Sequence, residues 1–213
     1  MKYFDYGEKE LNYLKSKDKV LGEVIDQIGM IRREVLPDFF EALVNSIVGQ
    51  QITTKAQQTI WRRMKEVLGD ITPNKIVSME EEELQGFGIS YRKVRYIKSA
   101  AQKILSGELK VGALREMDDQ QICDCLVKLD GVGVWTAQML MIFSMERPDV
   151  LSYGDLAIQK GLRMIYHHRK ITRELFHKYQ RRYSPYGTVA GFYLWAVAGG
   201  AIEGLKDYAP KKK

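Results

Sequence analysis

Two cysteines, five prolines and three histidines among 213 residues deprive several chemistries of material. An iron–sulfur cluster needs four thiolates, and Cys123 and Cys125 are the only two, so no such cluster is expected. Two positions apart on a helix, those thiols point about 200° apart, which argues against a shared metal or an easy disulfide. They read as two small thiols in a reducing compartment. No apolar run approaches the roughly 18 residues that a membrane span needs. The first ten residues, Met1 to Glu10, are polar and acidic, unlike a signal or transit peptide, so the protein is expected to stay where it is made. Nor does any stretch sustain apolar–polar alternation with period two, which argues against a sheet of any size. His167, His168 and His177 lie in a Lys/Arg-rich region and are expected to be solvated, leaving no convincing catalytic histidine.

What remains is ordinary material for a folded protein: 45% hydrophobic and 28% charged residues, with a formal net charge of +6 that suits a polyanionic partner. A chain of this length buries a full core as one domain or as two intimate lobes. The patterning is helical nearly throughout. Pro37-Asp38 opens a helix over 37–49 with a wide apolar face. Thr53 or Thr54 caps the next, which runs to Leu68 and stops at Gly69. A third spans 91–105 and stops at Gly107. Asp118 or Asp119 starts one that reaches Leu129, and others follow at 133–145, 155–166, 172–182 and 187–200. The expected fold is an all-α bundle of about ten short helices. Residues 209–213, ending Pro210-Lys211-Lys212-Lys213, are expected to form a flexible tail.

The most informative segment is Leu126-x-x-Leu129-Asp130-Gly131-Val132-Gly133-Val134-Trp135-Thr136-Ala137. One helix ends at the first glycine and another begins at the second. Two glycines permit a close, positive-φ turn and leave backbone N–H groups uncovered. With the positive end of the following helix, those amides suit a phosphate diester. Gly-x-Gly alone more often only terminates a helix. The apolar residues three apart before it and Thr-Ala after it make the longer pattern far more specific for a DNA backbone.

Leu129 to Ala137 resembles the helix-hairpin-helix of the base-excision DNA glycosylase superfamily (HhH-GPD). Ser46-Ile47-Val48-Gly49-Gln50-Gln51-Ile52-Thr53-Thr54-Lys55-Ala56 is similar to that superfamily's upstream helix-loop-helix. Asp149-Val150-Leu151-Ser152-Tyr153-Gly154-Asp155 is similar to the acidic segment after its hairpin, and Gly86 to Lys93 matches more loosely. These segments cover about residues 40–200 in the expected order. The subfamily most resembled is that of the AlkA-like alkylpurine (3-methyladenine) glycosylases, in a short form without the N-terminal β domain of some members. Three departures stand out: Asp130 replaces the usual proline, Gly154 a frequent second acidic residue, and Met139 a pocket aromatic.

The resemblance implies a single glycosylase domain over 1–213, with the hairpin at about 119–145 and the active site in a cleft between two lobes. It assigns the essential carboxylate to Asp155, which stabilises oxocarbenium-like charge on the sugar as the N-glycosidic bond breaks. Taken alone, Gly154-Asp155 reads as a helix N-cap, and the two roles are compatible. Trp135 stands where bifunctional relatives carry a Schiff-base lysine, which implies hydrolysis without strand cleavage. Lys160 and Lys170 read as surface charges. A damaged base in double-stranded DNA must be flipped out to be reached. Trp135 and Trp195, with Tyr153 as a third, are the expected walls of a pocket that attracts a cationic base, although core packing is an open alternative for Trp195. The plug for the vacated stack is expected from Gln51, which otherwise is an ordinary loop glutamine. Gly131, Val132, Gly133 and Thr136 are the expected phosphate contacts, with Arg92 and Lys93 adding charge. No cofactor is expected to be required. The carbonyls of Val127, Leu129 and Val132 are expected to hold a structural Na+ or K+. A monomer in the cytoplasm and nucleoid, or in a nucleus, completes the expectation. A glycosylase for a deaminated or oxidised base, and a non-catalytic DNA-binding module, are the alternatives.

Overall fold

Capping side chains set where the helices begin in the computed structural model, which describes residues 2–210. The elements run β1 (Lys2–Tyr3), α1 (Glu8–Lys17), α2 (Lys19–Ile28), β2 (Glu34–Val35), α3 (Phe39–Gly49), α4 (Thr54–Leu68), α5 (Pro73–Ser78) and α6 (Glu81–Gly86). They continue with α7 (Tyr91–Leu105), a 3-10 turn (Val111–Glu116), α8 (Asp119–Leu126), α9 (Val134–Phe143), α10 (Leu156–Tyr166), α11 (Arg173–Tyr183) and α12 (Gly187–Ala198). Asp38 accepts from the Glu41 amide at 2.8 Å, Thr53 from Ala56 at 3.2 Å, and Asp118 from Gln121 at 2.8 Å. Each satisfies an amide that the helix itself leaves without a partner. The fold is all-α, as expected. The sheet is only an antiparallel pair, Lys2 opposite Val35 and Tyr3 opposite Glu34.

The chain divides into two compact units. One comprises Leu36–Met145 and is organised on α3, whose Leu43, Val44, Ile47 and Val48 are fully buried against α4, α7 and α9. Each such side chain contributes about 1.5–3 kcal/mol relative to exposure. The other is built from Met1–Val35 and Glu146–Lys213. Its centre is α12, apolar on every side from Val189 to Leu194, and packed on α10, α2, α1 and α11. Gly161 permits the α10–α12 approach: a Cβ there would stand 2.4 Å from the Leu194 carbonyl oxygen.

Several boundaries differ from the sequence expectation. Helix α8 ends at Leu126 rather than Leu129, because the chain tightens into i→i+3 turns, Leu129 N–H donating to Leu126 at 3.0 Å and Val132 N–H to Leu129 at 3.1 Å. Helices α1 and α2 were absent from the pattern reading, as were α5 and α6, each six residues long. Lys160 is not merely a surface charge, since its ammonium caps α12 through the Ala198 carbonyl at 2.8 Å. His167 and His177 are exposed, but His168 is half-buried, with Nε2 2.7 Å from the Tyr179 hydroxyl, and burial lowers its pKa. Up to Tyr208 the C-terminal segment is tethered: Arg163 holds Asp207 through two bonds of 2.7 and 2.6 Å, and Tyr208 lies against His167. Lys211, Lys212 and Lys213, the end of the expected flexible tail, lie outside the described residues. No described helix is long and apolar enough to cross a membrane.

Candidate functional site

The turn between α8 and α9 takes its shape from Gly131. Its φ of +76° is one that side-chain-bearing residues rarely adopt, and a Cβ there would fall 2.3 Å from Cδ2 of Tyr96, a residue of α7. Leu129 and Val132 turn inward, 5% and 6% exposed, and anchor the turn. Gly133 caps α9 with extended backbone and no side chain over it, and it is exposed. The first amides of α9 are therefore offered at the positive end of a helix. Asp130, the residue in place of proline, is drawn toward α7, where its carboxylate accepts from the Ser99 hydroxyl at 2.7 Å. Val134 and Trp135 are 57% and 48% exposed on the first turn of α9, and Val127 is exposed before it. Thr136 is 6% exposed, on the packed side of the helix, so its hydroxyl has little surface for a phosphate.

A second turn, between α3 and α4, joins the hairpin in the same unit. Gln50 donates through Nε2 to the Gly131 carbonyl at 2.8 Å. Gln51 is exposed and has φ +58°, a left-handed conformation that glycine more usually supplies. Arg92 is exposed on the first turn of α7. The expectation that Lys93 adds charge beside Arg92 at the DNA contact is corrected. It is buried, and its ammonium donates to the carbonyls of Val48 at 2.8 Å and Gln50 at 2.7 Å. Burial, and then the neighbouring Arg92 charge, lower its pKa.

In the other unit, Asp155 caps α10. Its Oδ1 accepts from the amides of Ala157 at 2.9 Å and Ile158 at 3.0 Å, and the residue is 7% exposed. Burying a carboxylate is unfavourable unless it is hydrogen-bonded, and these amides with the helix end supply that compensation. Leu156 beside it is 78% exposed. Trp195 is half-buried and stacks on Phe192 with centroids 6.0 Å apart. Phe192 in turn meets Phe4 edge-on at 5.2 Å and lies 6.0 Å from Tyr6. Tyr3, Phe4 and Tyr6, with Met30, Ile31 and Arg32, line a shallow recess that sequence reasoning missed, since it assigned the N-terminal residues no role. Tyr153 is engaged elsewhere: its ring packs edge-on against Phe176 at 5.3 Å, and the Arg173 guanidinium covers it at 4.9 Å. The structure thus brings Gly131, Val132, Gly133, Gln51 and Lys93 together in one unit, and Asp155, Tyr153 and Trp195 belong to the other.

Residues 44–185 match the family model described as "HhH-GPD superfamily base excision DNA repair protein", and the chain belongs to that superfamily. DNA-3-methyladenine glycosylase 1 of Schizosaccharomyces pombe is 32% identical over 178 residues, covering 81% of this chain and 78% of that protein. Among solved structures, a DNA-3-methyladenine glycosidase from Bacillus halodurans superposes with a TM-score of 0.85 at 32% identity over 96% of each chain. The Schizosaccharomyces pombe 3-methyladenine DNA glycosylase Mag1, solved with abasic DNA, gives 0.79 at 28% identity, covering 95% of this chain and all of that one.

Proposed function

We propose that this protein is a monofunctional DNA glycosylase that flips alkylated purines out of duplex DNA and removes them by hydrolysis, leaving an abasic site. One observation carries this reading: in a chain of this superfamily, the acidic residue that follows the hairpin is a buried, amide-fixed carboxylate, Asp155. The names of the similar proteins support the alkylpurine class. As the C1′–N bond breaks, the base leaves with the bonding electrons and positive charge grows on the sugar. The Asp155 carboxylate stabilises that charge, water adds to C1′, and the water's proton is lost. An N-alkylated purine carries positive charge and leaves readily, which suits a site without a strong general acid. Trp135 offers no amine, so no Schiff base forms. Exposed Trp135 and half-buried Trp195 serve as aromatic faces for the cationic base, an attraction of about 0.5–2 kcal/mol. Gly131, Val132 and Gly133 present the amides that grip phosphate, Arg92 adds charge, and Gln51 fills the vacated stack. The carbonyls of Val127, Leu129 and Val132 are neutral hard oxygen donors in one turn, a set that fits Na+ or K+. Such an ion would attract a phosphate oxygen to the hairpin when bound. The protein acts as a monomer, one site per lesion.

The test is to incubate the protein with methylated duplex DNA and analyse the released bases. Wild type is expected to liberate 3-methyladenine or 7-methylguanine, and Asp155→Asn to bind the same DNA without releasing either. Borohydride should trap no protein–DNA adduct. Equal release by both proteins removes Asp155 from its role, and a trapped adduct overturns the hydrolytic reading.

A further inference from the structure

Lys93 is the one lysine of α7 whose ammonium reaches the turn that carries Gln51. It spans from α7 to the end of α3 and satisfies two carbonyls there, Val48 at 2.8 Å and Gln50 at 2.7 Å. The Gln50 side chain extends the connection to the Gly131 carbonyl of the hairpin at 2.8 Å. From the α4 side, Gln57 donates to the Asn45 carbonyl at 3.1 Å and lies so close to Gly49 that a Cβ there would overlap its amide. Residues on both sides of Gln51 are therefore fixed, while Gln51 itself is exposed in a left-handed conformation with φ +58°. Backbone strain of this kind persists only where surrounding contacts over-determine it.

We infer that Lys93 is a positioning residue: its ammonium clamps the α3–α4 turn so that Gln51 is held out, preset to enter the duplex as the damaged nucleotide leaves. This rests on the excision reading above for what Gln51 does, but not for the clamp itself. Burying a four-carbon stem and an ammonium to cap two carbonyls is costly unless both bonds form. The return is a plug whose ordering is complete before DNA arrives, so binding does not have to supply it. Gln50 links that plug to the phosphate-gripping turn, so the backbone contact and the plug keep a fixed register on the duplex.

The experiment compares Lys93→Met with Lys98→Met. Lys98 lies further along the same helix and caps the Met79 carbonyl at 2.5 Å, remote from the turn, so it reports the cost of losing a structural lysine. Hydrogen exchange without DNA should show Lys93→Met accelerating the Gln50 amide, which donates to the Ile47 carbonyl at 3.3 Å at the end of α3, while Lys98→Met leaves it unchanged. Single-turnover excision by Lys93→Met should fall about tenfold when the lesion is paired and stay within about twofold of wild type when the lesion sits in an unpaired bubble that needs no plug. Lys93→Arg, which keeps charge and donors, should recover most of the paired rate. If Lys93→Met does not fold, Lys93→Gln, shorter but still a donor, takes its place. Unchanged exchange at Gln50, or equal losses on paired and unpaired lesions, or an equal loss from Lys98→Met, overturns the inference. A wild type that releases no base overturns the excision reading instead, and exchange alone then decides the clamp.

Discussion

Gly131→Ala tests the hairpin most sharply, because two separate constraints meet at one α-carbon. The first is conformational: alanine at φ +76° incurs about 1–2 kcal/mol of left-handed strain. The second is steric. The added methyl would stand 2.3 Å from Tyr96 Cδ2, 2.7 Å from Cε2 and 3.0 Å from Cγ, so the ring must move by about an ångström or the turn must open. Overpacking of that kind costs about 1–3 kcal/mol. Together they give about 2–5 kcal/mol, read as a loss in urea unfolding and, at about 2–4 °C per kcal/mol, as a lower Tm. The double-mutant cycle with Tyr96→Ala separates the two: without the ring, Gly131→Ala should retain only the strain, leaving a coupling of about 1–3 kcal/mol. Gly133→Ala is the control. Its backbone is extended, nothing lies within 4 Å of a Cβ, and its loss as a cap should stay near 1 kcal/mol or less. Its methyl would nevertheless stand at the exposed start of α9, so duplex affinity should fall while stability hardly changes. A Gly131→Ala penalty that is the same with and without Tyr96 would refute the steric half, and one below about 0.5 kcal/mol would refute both.

Three further outcomes are expected. Gly161→Ala places a methyl 2.4 Å from a backbone carbonyl oxygen on α12 that has no flexible end to yield, so it should cost about 3 kcal/mol or more in chemical denaturation. Asp155→Asn keeps an oxygen for the Ala157 and Ile158 amides and should leave stability within about 0.5 kcal/mol of wild type, whereas Asp155→Ala loses the cap and about 1 kcal/mol; both should lose base release. The bonds from Arg163 hold the Asp207 carboxyl below its ordinary value of 3.8. Because the folded pKa is depressed, the stabilisation is present above the unfolded value and is lost as pH falls through the folded one. Faster exchange of the Ala209 amide in acid below pH 3.8, abolished in Asp207→Asn, checks it. The pair is partly exposed, so its contribution is less than about 1 kcal/mol.

Helix starts were legible at Thr53 and Asp118, which stand out as caps by residue type ahead of an apolar period and do cap their helices, and the structure adds Asp38 and Ser90 as the caps of α3 and α7. The hairpin was legible because two glycines in a fixed apolar frame have few other uses. What escaped was whatever depends on a partner distant in sequence. Lys93 looked like a surface charge beside Arg92, yet it stands four residues before Ile97 and next to Val94, on the buried face of α7. That position was the available signal, and a lysine there needs acceptors, which α3 supplies. His168 likewise sits among basic residues, and only the fold puts Tyr179 against it. Helix α1 failed to register because Leu14 alone among its residues is buried, too little to make a stripe.

On the proposed mechanism, the cap and the catalyst at Asp155 are one solution rather than competing readings. A carboxylate meant to stabilise sugar charge must be shielded from water, because Coulomb attraction weakens steeply with dielectric. Shielding in turn removes its solvation, which must be replaced by fixed donors. The first turn of a helix is among the few backbone arrangements with amides to spare. Those of Ala157 and Ile158 both meet Oδ1 and fix the rotamer. Capping the helix and presenting the carboxylate to the sugar therefore ask for the same geometry.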